Sequence, residues 1–221
     1  MKQKHLIIGG VALVALLLLS NTASASSGTS LEDDDMEPNL RAFLLMLQWC
    51  EGTWREPNPY AVCYGYSHVI QDFSDHPAFT GEWNGVLLPD NYCYGAGINP
   101  PCKSYAAGAY QMNKIAWREI KDDLGEIGFE PSAQDYACIH KLDKMGALGF
   151  AIEGDLSTAI QKSNKYWASL PGAPFGQPTR TYAQCEAFFV SQGGNVSGAR
   201  AAVSGGVNFG RLGAARNYVQ L

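Results

Sequence analysis

The 221-residue sequence predicts a mostly helical domain interrupted by one long irregular segment that carries only short strand-like runs. Three observations lead there. Leu40, Phe43, Leu44 and Leu47 recur at i, i+3, i+4, i+7, the spacing that buries one face of a helix. Residues 53–104 are crowded with Pro, Gly, Asn, Asp and aromatic side chains, which favour turns over a sustained period. From Asn113 onward, apolar residues again recur at helical spacing between cap and stop signals.

The elements follow in chain order. Residues 1–25 carry Lys2 and Lys4, an apolar stretch from Leu6 to Leu19, and Ala23-Ser24-Ala25, the three parts of a secretory signal peptide. A mature chain beginning at Ser26 and export to the periplasm or the extracellular space are expected. An uncleaved membrane anchor is the rival reading, although the stretch is short for a spanning helix. Residues 26–37, with Glu32, Asp33, Asp34, Asp35 and Glu37, read as a polar and acidic linker. Residues 38–197 form the domain. Its first helix stops at Gly52, and Ala61 to Tyr66 is a strand-like run. Helices are expected over Lys114 to Leu124, over Ser132 to Lys144 behind Pro131, and over Ala147 to Ile152. Two more follow, from Asp155 through Trp167 and from Thr181 to Gln192 before Gly193-Gly194. Residues 198–221 form a Gly/Ala-rich tail with Arg200, Arg211 and Arg216, read as flexible, with wall or partner binding as the alternative.

Charge narrows the function. Without Lys2 and Lys4, 14 basic residues face 21 acidic ones, a formal charge of −7, which argues against a nucleic-acid partner. About 196 residues then remain, enough for one well-filled core. All six cysteines, Cys50, Cys63, Cys93, Cys102, Cys138 and Cys185, lie beyond the leader, so in an oxidising compartment they read first as disulfides. Cys93 and Cys102 bracket a Gly/Pro/Asn-rich loop and are the favoured pair; Cys138 and Cys185 fall on two predicted helices and are a second candidate. No close Cys/His grouping supports a metal, and no cofactor is expected. A nucleophilic Cys50 lacks a base oriented toward it.

Glu51 is the candidate for chemistry. It lies in Gln48-Trp49-Cys50-Glu51-Gly52-Thr53, at the end of the apolar helix and next to Trp49. Partial desolvation there raises a carboxyl pKa and lets the group carry a proton near neutral pH, whereas an exposed helix-end glutamate would do nothing of the kind.

Several segments, in order, resemble the lambda-type phage endolysins, lytic transglycosylases of glycoside hydrolase family 104. They are Arg41-Ala42-Phe43-Leu44 leading to Trp49-Cys50-Glu51-Gly52-Thr53, Asp72-Phe73-Ser74-Asp75-His76-Pro77, and Lys103-Ser104 with Ala107-Gly108-Ala109-Tyr110-Gln111. Pro131-Ser132-Ala133-Gln134-Asp135, Met145-Gly146-Ala147-Leu148, and Trp167 to Gly172 with Phe175-Gly176-Gln177 complete the set. The resemblance spans about Leu40 to Gly194. It implies a lysozyme-like α+β fold, with a helical lobe and a small β-containing lobe framing a glycan cleft, and it places the catalytic glutamate on Glu51. Two departures stand out: Ala109 replaces an arginine, and the loop between Pro77 and Lys103 is longer and cysteine-bearing.

The expected partner is peptidoglycan glycan strands, met by a monomer with no membrane contact after signal cleavage. A lytic transglycosylase needs one carboxylate, because the nucleophile is the substrate's own hydroxyl; hydrolysis would enlist a second acid such as Asp72 or Asp75, whose alternative role is turn capping. Gln111 is expected to bond acetamido groups and Tyr110 to offer a ring to a sugar, with core packing as the other role for Tyr110. Ser74, His76 and Trp167 complete the candidate substrate-binding set; His76 could instead brace its turn, and Trp167 could be core. A peptidoglycan-binding protein without turnover is the alternative from another class.

Overall fold

The computed structural model describes residues 36–197; the leader, most of the acidic linker and the tail lie outside the described residues. Helix α1, Pro38–Cys50, starts with proline in its first turn, where the missing N–H is not needed, and the Glu37 carboxylate accepts from the Leu40 N–H. It buries Leu40, Phe43, Leu44 and Leu47 together with Ala42 and Met46. Gly52, at φ 84°, stops it.

The segment after α1 holds two 3-10 turns, Pro59–Ala61 and Tyr64–Tyr66, the short helix α2 (Pro77–Thr80), strand β1 (Val86–Leu87), helix α3 (Asp90–Gly95) and strand β2 (Lys103–Ser104). The strands pair antiparallel, Val86 opposite Ser104 and Leu87 opposite Lys103. Ala61 to Tyr66 is therefore not a strand. Gly65 at φ 64° and Tyr66 at φ 56° curl the chain into a turn, leaving only single bridges of Val62 with Val69 and Cys63 with Ala107. Cys93 and Cys102 are bonded and staple the loop between the strands.

The helical lobe comprises α4 (Lys114–Leu124), α5 (Pro131–Lys144), α6 (Leu148–Glu153), α7 (Leu156–Ser163) and α8 (Tyr182–Ser191). Helix α1 lies against α6 and α8, α6 against α7, and α4 and α5 against each other. Thr181 and Gln184 cap α8 reciprocally. The helix begun at Asp155 ends at Ser163, short of Trp167. There Ser163 Oγ bonds back to the Ala159 carbonyl and Asn164 Nδ2 donates to the Pro171 carbonyl, turning the chain. Cys138 and Cys185 are not joined, because Cys185 lies against Cys50 instead. Trp117, Trp167, Tyr110, Phe43, Phe129 and Phe189 are the largest fully buried side chains of one continuous core, so α1 is a central strut with its C-terminus at the surface.

Candidate active site

Glu51 caps α1, its N–H bonded to the Leu47 carbonyl at 2.9 Å, so its backbone is fixed by the helix it ends. Ser169 Oγ donates to Glu51 Oε1 at 2.5 Å. Ser169 is itself held: the Arg180 N–H donates to its carbonyl at 2.9 Å, and two residues earlier Trp167 Nε1 donates to the Tyr110 carbonyl at 3.0 Å. Burial raises the Glu51 pKa from 4.5 to about 7, against the opposing pull of side-chain and main-chain hydrogen bonds from Ser169. No neighbouring charge is needed to explain the shift.

An aromatic group joins α1 to α8, beginning at Trp49, two residues before Glu51. Phe188 stacks on Trp49 at 4.8 Å, Trp54 meets Phe188 edge-on at 5.1 Å, and the Arg180 guanidinium lies 4.3 Å over the Trp49 ring. From the other lobe, Tyr66 Oη donates to the Gly52 carbonyl at 2.9 Å, while its ring remains 60% exposed. A Cβ on Gly52 would come within 3.2 Å of that hydroxyl, on a backbone at φ 84°, so glycine here serves both the turn and the contact. Ser169, Arg180 and Tyr66 are the residues that sequence reading missed. Nothing local marks them, since each reaches Glu51 or its neighbour only through tertiary folding.

The other expected site residues disperse. The Tyr110 ring is 1% exposed; its hydroxyl donates to Asp135 Oδ1 at 2.6 Å and accepts from Gln48 Nε2 at 3.3 Å, so it packs in the core and presents no face to a sugar. Trp167, 2% exposed, is likewise core and acts on the site only by placing Ser169. His76 is fully buried, with Nδ1 accepting from the Ala78 N–H at the start of α2 and Nε2 bonded to the Met112 carbonyl at 3.1 Å: a turn brace rather than a cleft lip. Ser74 is exposed in a turn in which its N–H donates to Asp72 Oδ1 at 2.9 Å. Gln111 is half-buried at φ 47°, and its side-chain amide nitrogen donates to the carbonyls of Val62 and Gly108 at 3.1 and 2.9 Å, closing its own loop. Ala109 is fully buried, with its N–H bonded to Gln134 Oε1.

Neither aspartate in the turn pairs with Glu51. Asp75 accepts from Trp117 Nε1 at 3.0 Å and from Lys121 Nζ at 2.9 Å, tying the turn to α4. Asp72 is exposed, and hydrogen bonds from Ser74 hold it below the usual carboxylate range.

A family model described as Endolysin matches residues 41–196. The chain belongs to the endolysin family. Relatives include the endolysin of Escherichia phage lambda, 34% identical over 161 residues that cover 71% of this chain and 92% of that one. The endolysin of Escherichia phage P2 is 33% identical over 147 residues, covering 63% and 83%. Among solved structures, bacteriophage lambda lysozyme complexed with a chitohexasaccharide superposes with a TM-score of 0.60 at 32% identity, covering 73% of this chain and 98% of that one. Membership in the endolysin family makes the α+β architecture lysozyme-like and the chain an enzyme that degrades peptidoglycan.

Proposed function

We propose that the chain is a peptidoglycan lytic transglycosylase in which Glu51 acts first as acid and then as base. The observation that carries this reading is a single carboxyl group, held protonated up to about pH 7 by burial and positioned by Ser169, with no second carboxylate paired to it among the described residues. Glu51 gives its proton to the oxygen that links N-acetylmuramic acid to N-acetylglucosamine, and the glycosidic bond to C1 breaks. The Glu51 carboxylate then takes the proton of the muramic C6 hydroxyl as that oxygen bonds to C1. One glycosidic bond is exchanged for the internal 1,6-anhydro bond, and the glutamate ends protonated as it began. Ser169 stabilises the carboxylate formed midway, and burial of the carboxyl limits the access of water to it.

The chain works as an exported monomer on glycan strands, in the periplasm or outside the cell. Its leader supports export, and no described helix is long and apolar enough to cross a membrane. Mass spectrometry of the soluble fragments released from purified peptidoglycan tests the chemistry, with Glu51→Gln run beside the wild type. Anhydro-muropeptides from the wild type and none from the variant are expected. Reducing-end fragments would overturn the transglycosylase in favour of a muramidase, with Asp72, exposed and ionised, as the water-holding acid to test. Binding without fragments would make the chain a non-catalytic peptidoglycan-binding member of the family.

A further inference from the structure

Four buried thiols remain beside the Cys93–Cys102 bond, and two of them touch. Cys50 Sγ, on the last residue of α1, lies 3.7 Å from Cys185 Sγ on α8, close enough for one thiol to donate its hydrogen to the other. The residues are 135 positions apart, so the contact exists only because α8 docks along α1. Cys63 and Cys138 touch no other sulfur among the described residues.

The surroundings polarise the pair. The hydrogen bond from Cys50 pushes the Cys185 thiol below its ordinary value, and the Arg180 guanidinium adds to the effect. The same hydrogen bond and burial push Cys50 up. Cys185 is therefore the member that carries thiolate character, the form that attacks a disulfide. Cys50 is the member that keeps its proton until the second step.

We propose that Cys50 and Cys185 are an oxidation site that closes into a second disulfide and ties the helix ending at Glu51 to the last helix of the domain. The oxidant is a disulfide, either a thiol-disulfide oxidoreductase or a small-molecule disulfide. The Cys185 thiolate attacks one sulfur of the oxidant and expels the other as a thiol. Cys50 then gives up its proton and attacks the Cys185 sulfur of the mixed disulfide, which releases the second thiol. Two electrons and two protons leave the pair and appear in the reduced oxidant. The sulfurs need to approach from 3.7 Å to the roughly 2 Å of a bond. Because both thiols are buried, exchange takes place before α8 docks or when it lifts, and the bond is shielded from reductants once the domain has closed.

The cross-link bears on the site without entering its chemistry. Phe188, which stacks on Trp49, lies three residues beyond Cys185, and Cys50 immediately precedes Glu51, so a tied α8 fixes the end of the helix that carries the carboxyl. The bond also closes a far longer loop than the nine-residue separation of Cys93 and Cys102, and longer loops restrict the unfolded chain more.

Thiol mapping tests the proposal without any substrate. The full chain is refolded in a mixture of oxidised and reduced glutathione, alkylated, and digested without reduction. A peptide joining Cys50 to Cys185, with Cys63 and Cys138 both alkylated, is expected. Alkylated Cys50 and Cys185 in the folded protein, or either one joined to another cysteine, would overturn it. As a second reading, the Tm of wild type refolded in the glutathione mixture should exceed that of wild type refolded in dithiothreitol by about 10 °C more than the same comparison gives for Cys185→Ser, where only the short staple differs. Equal shifts would remove the cross-link from the folded state.

Discussion

Two carboxyl groups of this domain are withdrawn from water, and they are treated in opposite ways. Asp135 is 2% exposed and accepts from the hydroxyls of Tyr60, at 2.9 Å, and Tyr110, at 2.6 Å, while Tyr110 in turn accepts from Gln48. Glu51, at the end of α1, has Ser169 as its donor. The first arrangement engages a carboxylate from several directions and joins α1, the 3-10 turn at Tyr60 and α5 into one polar knot. The second leaves the ionised form poorly compensated, so burial wins and the proton stays on to about pH 7. Burial alone does not distinguish a structural acid from a reactive one. The donors arranged around it do.

The largest effect expected from breaking this contrast is on turnover. Glu51→Gln keeps the size of the side chain and its bond to Ser169 but removes the proton, so cleavage of purified peptidoglycan should fall by about 10³-fold, within the range general acid–base groups contribute. Retained sedimentation with peptidoglycan would show that the loss is chemical.

The same substitution should alter stability in a pH-dependent way. The native state holds the Glu51 proton up to about pH 7, whereas an ordinary glutamate releases it near 4.5. The native advantage is therefore full below pH 4.5 and lost as pH rises to 7, a change of about 3 kcal/mol. His76 runs the other way: burial lowers its pKa from 6.5 to about 4, so native stability is full above pH 6.5 and lost as pH falls toward 4, again by about 3 kcal/mol. The two trends oppose each other across pH 4.5 to 6.5. Thermal unfolding should show Glu51→Gln gaining about 10 °C on the wild type between pH 4.5 and pH 8, with the His76 slope left bare in the variant. A constant difference between the two proteins across that range would mean that Glu51 titrates as an exposed acid.

The contrast also marks how far the sequence could be read. Helical periodicity located α1 and every long helix of the second half, because each buries a face through local spacing: Lys114 to Leu124 is bounded as the pattern indicates, and the Thr181 cap is visible as a residue type. It also located Glu51 at the helix end, since the stop at Gly52 is a local event. Where contacts are distant, local pattern could not choose between a site role and a core role. Tyr110, His76 and Trp167 carry polar atoms that could serve a sugar, but those atoms are bonded to Asp135, Met112 and the Tyr110 main chain. Ser169 lies 118 positions from Glu51, and the touching sulfurs of Cys50 and Cys185 are 135 apart, so neither pairing has a signature in spacing. The run from Ala61 to Tyr66 has strand-forming residues, yet two consecutive positive φ values at Gly65 and Tyr66 override them.

A smaller effect is expected at the structural acid. Asp135→Asn replaces one carboxylate oxygen with an NH2 group that cannot accept from the tyrosine hydroxyls and removes the charge from the bonds that remain, so about 2 kcal/mol of unfolding free energy should be lost in urea titrations. The fraction that remains folded should cleave peptidoglycan within about threefold of the wild-type rate. A loss of cleavage comparable to that of Glu51→Gln, in protein that is still folded, would erase the distinction drawn between the two acids.

The smallest effect is the sharpest test of how Glu51 is tuned. Ser169 donates to the carboxylate and so favours the ionised form, opposing the dominant effect of burial. Ser169→Ala removes the side-chain part of that opposition and leaves the main-chain bond, and the pKa of Glu51 should rise above 7 by about one unit, the size expected for a lost charge-assisted hydrogen bond. The alkaline limb of the kcat/KM profile, where the acid form disappears, should move up by the same amount, because the group that must be protonated holds its proton longer. At the plateau, kcat should fall a few-fold, since the carboxylate that must accept the C6 hydroxyl proton is no longer stabilised or aimed. An alkaline limb that stays in place, with only KM changed, would make Ser169 a substrate contact and would leave the tuning of Glu51 to burial alone.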